Sequence, residues 1–137
     1  MPDIETSQFK NRFTSLIIQA QGFPKKPLDR HMLFLSAALG LDASRTYSES
    51  ELNDALRQWT ESFGDAVALD HVTLRRFLVD EGYLTRDSAG QSYQLTHAEW
   101  PYSYDPAITT LDLDILVEEE RQARERKKQE YLRKAKG

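Results

Sequence analysis

The sequence contains no cysteine, and no apolar run in it exceeds a few residues. The lack of cysteine excludes disulfides and thiolate metal sites, and it is typical of a reducing compartment. Such short apolar runs cannot span a bilayer, and residues 1–8 have neither the basic nor the apolar region of a secretory signal. We therefore expect a cytoplasmic protein with no membrane partner.

An excess of positive charge is also missing, because 18 Lys and Arg stand against 22 Asp and Glu, for a formal net charge of −4. Neutralising phosphates needs clustered basic side chains, so this balance argues against a protein that coats nucleic acid non-specifically. A local basic surface stays compatible with it. The chain does have 137 residues, 39 % of them hydrophobic, which is enough for one core without metal or disulfide support.

Apolar residues at helical spacing predict a first helix over residues 6–21, with Thr6 or Ser7 as its cap and Gly22 as its end. Its stripe consists of Phe9, Phe13, Leu16, Ile17 and Ala20. This stripe either packs on the domain or forms a homodimer contact, and the sequence leaves both open.

A second helix is predicted over residues 29–39. The two prolines in residues 23–27 prevent a continuous helix before it. Asp29 is its expected cap and Gly40 its stop. A short extended stretch, residues 45–47, follows.

A capping box marks the start of the clearest helix. The Ser48 hydroxyl can accept from the amide of Glu51, whose carboxylate can reach back to the amide of Ser48. Gly64 is expected to close this helix. Its apolar stripe is Leu52, Leu56, Trp59 and Phe63.

The next helix is predicted over residues 70–81, with Asp70 as its N-cap and Gly82 as a left-handed glycine after Glu81. Its core stripe is Leu74, Phe77 and Leu78. At 100° per residue, the opposite side presents Val72, Arg75, Arg76 and Val79.

Two short strands, residues 83–86 and 91–95, flank an Asp/Ser/Gly turn at residues 87–90 and predict a hairpin. The order of elements is helix, short strand, helix, turn, helix, hairpin. That order is typical of a winged helix, in which two consecutive helices form a helix-turn-helix and the hairpin forms the wing. The predicted fold is therefore mainly α (α+β): a winged helix-turn-helix with a two-stranded wing and extra N- and C-terminal helices.

The chain divides into four segments. Residues 1–22 form the N-terminal amphipathic helix, residues 23–95 the winged-helix domain, residues 96–110 an aromatic loop, and residues 111–137 a charged C-terminal helix and tail. The loop is expected to pack back on the domain through Trp100, Tyr102 and Tyr104, because a cluster of exposed aromatics is unfavourable.

Three stretches carry a resemblance to a known family. They are Phe23-Pro24-Lys25-Lys26, then Arg45-Thr46-Tyr47-Ser48-Glu49 with Glu51-Leu52-Asn53, then the run from Thr73 to Leu84 with Arg86-Asp87 and Gly90. Over about 70 residues the chain resembles the bacterial family of unknown function DUF2087. The resemblance implies a winged-helix-like fold and a transcriptional-regulator context. Two features depart from it: a long joint between Gly64 and Leu69, and the charged extension after Leu95.

The helix over residues 70–81 indicates two functions of different classes. Arg75 and Arg76 could pair with guanine in a major groove, or instead pair with the nearby acids of the same helix. Those acids are Asp70, Asp80 and Glu81. Residues 23–96 carry eight Lys and Arg against eleven Asp and Glu, whereas DNA-binding domains are usually positive. Aliphatic residues beside the arginines suit a protein interface.

We therefore expect a non-enzymatic regulatory or adaptor protein that binds a protein partner through this helix and the wing. The alternative is a sequence-specific DNA-binding transcriptional regulator that uses Arg75, Arg76 and the wing. The candidate contact residues in either case are His71, Val72, Thr73, Arg75, Arg76, Val79, Arg86, Ser88 and Gln91.

Catalysis finds little support in the sequence. His31, His71 and His97 lie far apart and at no ligand spacing, and no glycine-rich phosphate loop is present. Asp112 and Asp114 are two apart, so a helix would point them away from each other. We expect no catalytic residues, no metal, no cofactor and no small-molecule substrate.

Charge is sharply divided in the C-terminal extension. Residues 97–120 hold seven acids and no base, whereas residues 121–137 hold eight bases and two acids. A helix over residues 111–134 would place these charges as the helix dipole favours. Its basic end is either a solvated helix or a contact for phosphate or an acidic protein. The contact candidates are Arg121, Arg124, Arg126, Lys127 and Lys128.

Overall fold

The computed structural model describes residues 1–136, which form five α-helices and a small antiparallel sheet of three strands. The chain is thus mainly helical, in agreement with the predicted α+β class. The helices are α1 (Thr6–Gln19), α2 (Pro27–Ala38), α3 (Glu49–Trp59), α4 (His71–Asp80) and α5 (Leu113–Lys136). The strands are β1 (Tyr47–Ser48), β2 (Leu84–Arg86) and β3 (Ser92–Leu95). No helix in the described part of the chain is both long and apolar enough to cross a membrane.

The sheet contains the predicted hairpin and one strand more. β3 lies between β1 and β2 and pairs antiparallel with both. Tyr47 pairs with Tyr93, and Leu84 pairs with Leu95. These four side chains are buried, so one face of the sheet lies on the core. The extended stretch predicted before α3 therefore becomes the third strand.

α1 ends two residues earlier than predicted. Ala20, not Gly22, takes the left-handed conformation that terminates it, with φ of 51°. Its start was also assigned wrongly to Thr6 or Ser7, because the structure places the cap at Glu5, whose amide donates to the Gln8 side chain at 3.4 Å.

α2 begins two residues before the predicted Asp29. Pro27 occupies its first turn, where the missing amide hydrogen is harmless and the fixed φ suits a helix. Asp29 is consequently not the cap. It lies buried inside the first turn and forms an ion pair with Arg12 of α1, with Nη2 and Oδ2 2.8 Å apart.

The joint after α3 differs from the prediction that Gly64 closes that helix. The chain continues through one π-helical turn, Thr60–Gly64, and one 3₁₀ turn, Asp65–Val67. Left-handed Ala68, with φ of 54°, ends the helical path. Gly64 itself is right-handed, and a Cβ on it would lie 2.5 Å from the carbonyl oxygen of Leu69. Close approach of the backbone, not a left-handed turn, requires glycine here.

α1 contributes to the same core as the elements that follow it. Phe9, Phe13 and Ile17 are buried. The Phe13 ring stacks on Phe9 at a centroid distance of 5.4 Å and meets Phe63 edge-on at 5.2 Å. The stripe of α1 therefore packs on its own chain, as the first of the two interpretations had it.

α5 packs along α1, and Val117 is its buried residue. The helix begins and ends two residues later than predicted. Arg124 donates to the Ser15 hydroxyl at 2.9 Å and pairs with Glu120 at 3.0 Å. Glu120 and Arg124 have the i, i+4 spacing that favours such a pair on a helix. From residue 125 to residue 136 every side chain is exposed.

The aromatic loop packs back on the core, as predicted. Trp100, Tyr102 and Tyr104 are half-buried against it. Trp100 meets buried Tyr83 at a centroid distance of 5.1 Å, and a short parallel bridge joins Ile4 to Tyr104.

Candidate interaction surface

Local chemistry fixes both ends of α4. The Asp70 carboxylate accepts from the amide of Thr73 at 2.7 Å, and this hydrogen bond lowers the pKa of Asp70. Gly82 follows the helix with φ of +90°, a conformation that glycine adopts without steric cost. Both predicted caps are confirmed.

The inner side of α4 anchors it to the core. Leu74 and Leu78 are fully buried. Phe77 is half-buried and stacks on Phe23 and Phe34 at centroid distances of 5.1 and 5.2 Å. Of the predicted contact residues on this helix, Thr73 and Arg76 are exposed, and His71, Val72 and Val79 are half-buried.

Arg75 is held by α3 and not presented outward. Its side chain is only 15 % exposed, and its guanidinium donates to Asn53 Oδ1 at 2.6 Å and pairs with Glu49 Oε1 at 3.2 Å. The acids predicted as its partners were on α4 itself, so that assignment was wrong. Within residues 1–136, Arg76 has no acidic partner within 4 Å.

Two cations outside α4 are also paired. Arg45 binds Glu51 at 2.5 Å, and Arg57 binds Asp54 at 2.9 Å. The amide of Ser48, followed by Arg45, lowers the pKa of Glu51 to about 2. The predicted capping box is present, with bonds of 2.9 and 3.1 Å, and it keeps an ionised carboxylate at the start of α3.

The tip of the β2–β3 hairpin is ordered by one carboxylate and one glycine. Asp87 accepts from the amides of Gln91 and Ser92 at 2.7 and 3.2 Å, which lowers the pKa of Asp87. Gly90 has φ of +71°, and a Cβ there would collide with the guanidinium of Arg86. That guanidinium lies 5.8 Å from the Tyr93 ring centroid.

The three predicted hairpin contacts lie at the tip of the hairpin, at or beyond the end of β2 that is farther along the chain from α4. Arg86, Ser88 and Gln91 are all accessible. α4 contacts β2 directly, so the hairpin begins next to the helix. We define the α4–hairpin surface as Val72, Thr73, Arg76, Val79 and the hairpin residues 86–91.

A cluster around a buried histidine, His31, was not foreseen from the sequence. His31 Nδ1 is hydrogen-bonded to the Tyr83 hydroxyl at 2.8 Å, and its ring lies 4.8 Å from that of Tyr102. Glu81 Oε2 is 3.5 Å from Nε2. Burial raises the pKa of Tyr83, so this hydroxyl stays protonated. These residues come from α2, the end of α4 and the aromatic loop, and no local pattern connects them.

We expect this cluster to make the protein less stable in mild acid. Burial lowers the pKa of His31, with Glu81 opposing the shift. Below about pH 6.5 the unfolded chain therefore takes up a proton that the folded chain excludes, so stability falls as pH falls. In urea unfolding between pH 7 and pH 5, His31→Gln should flatten this dependence, whereas exposed His97→Gln should not. Equal slopes in both variants would contradict the assignment.

The described part of the chain contains no cluster of metal ligands, because no three His, Asp or Glu side chains in it are close enough together to hold an ion. His97 and Glu99 remain an exposed pair without a third ligand.

The predicted basic contacts lie on α5. Arg124 is engaged by Ser15 and Glu120, whereas Arg121, Arg126, Lys127 and Lys128 are exposed. α5 packs mainly on α1, so the basic end of α5 is a second exposed feature, separate in sequence from the α4–hairpin surface.

Comparison with known proteins adds a family. No curated protein and no solved structure matches the chain. A family model described as an uncharacterised protein conserved in bacteria matches residues 20–95. That range runs from the end of α1 to the end of β3 and contains the whole α4–hairpin surface. The chain therefore belongs to the DUF2087 family of uncharacterised bacterial proteins.

Proposed function

We propose that this protein is a non-enzymatic regulatory or adaptor protein of the bacterial cytoplasm, with a winged-helix fold, that binds a protein partner through the α4–hairpin surface. The order α2, β1, α3, α4, β2, β3 supports the winged-helix interpretation, as does the position of β3 between β1 and β2. In this interpretation α3 and α4 are the helix-turn-helix, and the β2–β3 hairpin is the wing.

One observation carries the choice of a protein partner. Arg75 forms an ion pair with Glu49 and a hydrogen bond with Asn53. Within residues 1–136, Arg76 is therefore the one Lys or Arg of α4 without an acidic partner. A helix that inserts between phosphates needs several available cations. An arginine beside half-buried Val72 and Val79 instead matches the composition of protein interfaces.

The test is capture of partners from a bacterial lysate treated with nuclease, with the full chain as bait. A partner retained at stoichiometric yield would then be titrated calorimetrically with Arg76→Glu and with a matched control, Arg57→Glu on α3. We expect Arg76→Glu to weaken binding at least tenfold, because arginines in interface centres dominate affinity. The control should bind like the wild type. Equal effects of both substitutions would contradict the proposal.

DNA binding is the second candidate, and the exposure of Arg76 and of Arg86 on the hairpin favours it. A regulator of this kind would retain specific DNA from the same lysate when nuclease is omitted. Its affinity would fall steeply with salt. If one DNA sequence is enriched and Arg76→Ala abolishes the enrichment, the adaptor proposal is wrong.

A further inference from the structure

The end of α5 is the most concentrated charge in the molecule. Residues 126–136 contain six Lys and Arg and one Glu, and all of them are exposed. None of these six cations forms an ion pair with any residue in the described range 1–136. All six cations of this segment are therefore available to contact a partner.

The rest of the chain is strongly acidic. Residues 1–120 carry ten Lys and Arg against twenty Asp and Glu. α5 continues for twelve residues past Arg124, which is about 18 Å at 1.5 Å per residue. Because charges are screened over about 8 Å at physiological salt, the far end of α5 lies largely outside the field of its own acidic body.

The cations are spread around the helix and do not form one stripe. Consecutive residues of a helix are 100° apart, so Arg126, Lys127 and Lys128 point in three directions, and Arg133, Lys134 and Lys136 do so again. The apolar residues of the segment are few: Tyr131, Leu132 and Ala135. Without an apolar face the segment is a poor match for a bilayer, and a flat acidic protein would meet only one side of it.

We propose that residues 126–136 bind the phosphate backbone of a DNA duplex without reading its sequence. A helix in the major groove has phosphates on both sides, which matches cations on all sides. Six cations over about 16 Å of helix give a charge density comparable to that of a nucleic-acid strand, with one phosphate per ~3.4 Å. The binding element is independent of the α4–hairpin surface and would localise the protein on nucleic acid.

The test is fluorescence anisotropy of a labelled 24-base-pair DNA duplex of mixed sequence, titrated with the full chain from 50 to 300 mM KCl. With three or four cations facing phosphates at once, log K should fall against log salt with a slope of about −3. The triple variant Arg126→Gln, Lys127→Gln, Lys128→Gln should bind at least tenfold more weakly at 50 mM KCl, with a shallower slope.

A matched control changes the other half of the same helix. Glu118 and Glu119 are exposed, and Glu118→Gln with Glu119→Gln raises the net charge by two without touching the basic end. This variant should keep the wild-type slope, and Arg76→Glu should keep most of the duplex affinity. Absence of binding at 50 mM KCl, or an unchanged triple variant, would overturn the proposal. So would self-association in sedimentation that the triple variant abolishes, without duplex binding, which would assign the basic end to a second copy.

Discussion

Replacement of Phe13 by alanine should lower the free energy of unfolding by about 3–5 kcal/mol, because a buried phenylalanine is lost and a cavity remains. Phe13 is 0 % exposed, and its ring contacts those of Phe9 and Phe63. The loss is a large part of the 5–15 kcal/mol that stabilises a domain of this size. Urea unfolding followed by tryptophan fluorescence measures it.

The matched control is Lys10→Ala, an exposed position on the same helix, which should change stability by at most about 0.5 kcal/mol. The comparison matters because the family match begins at residue 20 and leaves out the whole of α1. A loss below about 1 kcal/mol for Phe13→Ala would mean that α1 is a peripheral addition. A loss in the expected range makes α1 part of the core that supports the α4–hairpin surface.

Features that depend on neighbours within a few residues were predictable from the sequence. The capping box of Ser48 and Glu51 and the Asp70 cap follow from side chains three positions from the backbone groups that they satisfy. Left-handed Gly82 follows from the missing Cβ of glycine directly after the helix. The apolar stripes that gave the helices are equally local. This is why the order of elements was foreseen, including the hairpin.

Features that depend on residues distant in sequence were not predictable. Arg75 could have faced a partner, and only the packing of α4 against α3 brings it to Asn53, 22 positions away. His31 meets Tyr83 across 52 positions. The third strand needs Tyr47 beside Tyr93. The residue pattern within one segment does not indicate which distant segment will pack against it.

Gly64 lies at the joint where the sequence predicts a glycine-dependent helix end, but the structure requires glycine there for a different reason. A glycine after an apolar helical stripe predicts a left-handed stop. The structure instead uses Ala68 as the left-handed residue, four positions later, and keeps Gly64 right-handed against the Leu69 carbonyl. Both explanations require glycine at residue 64, so the sequence could not distinguish them, whereas substitutions at the two positions can.

Gly64→Ala is expected to destabilise the protein by about 2 kcal/mol, because the new Cβ meets backbone at a distance that real Cβ atoms do not tolerate. The new Cβ would also lie 2.9 Å from the Cβ of Thr60, so it cannot relieve the clash by moving toward Thr60. The strain falls on the joint that positions α4, so partner binding at the α4–hairpin surface should weaken as well. Urea unfolding and calorimetric titration measure the two effects.

Ala68→Gly is the paired substitution, and it should have the opposite sign. An alanine in left-handed geometry is strained by about 1 kcal/mol, and glycine removes this strain. Glycine also gives the unfolded chain more conformational freedom, which offsets part of the gain in stability. The expected gain is therefore a few tenths of a kcal/mol, about 0.5 at most. If Gly64 were an ordinary stop with open space around it, Ala68→Gly would bring no gain. Opposite signs at positions 64 and 68 are thus the signature of a joint held by close backbone approach.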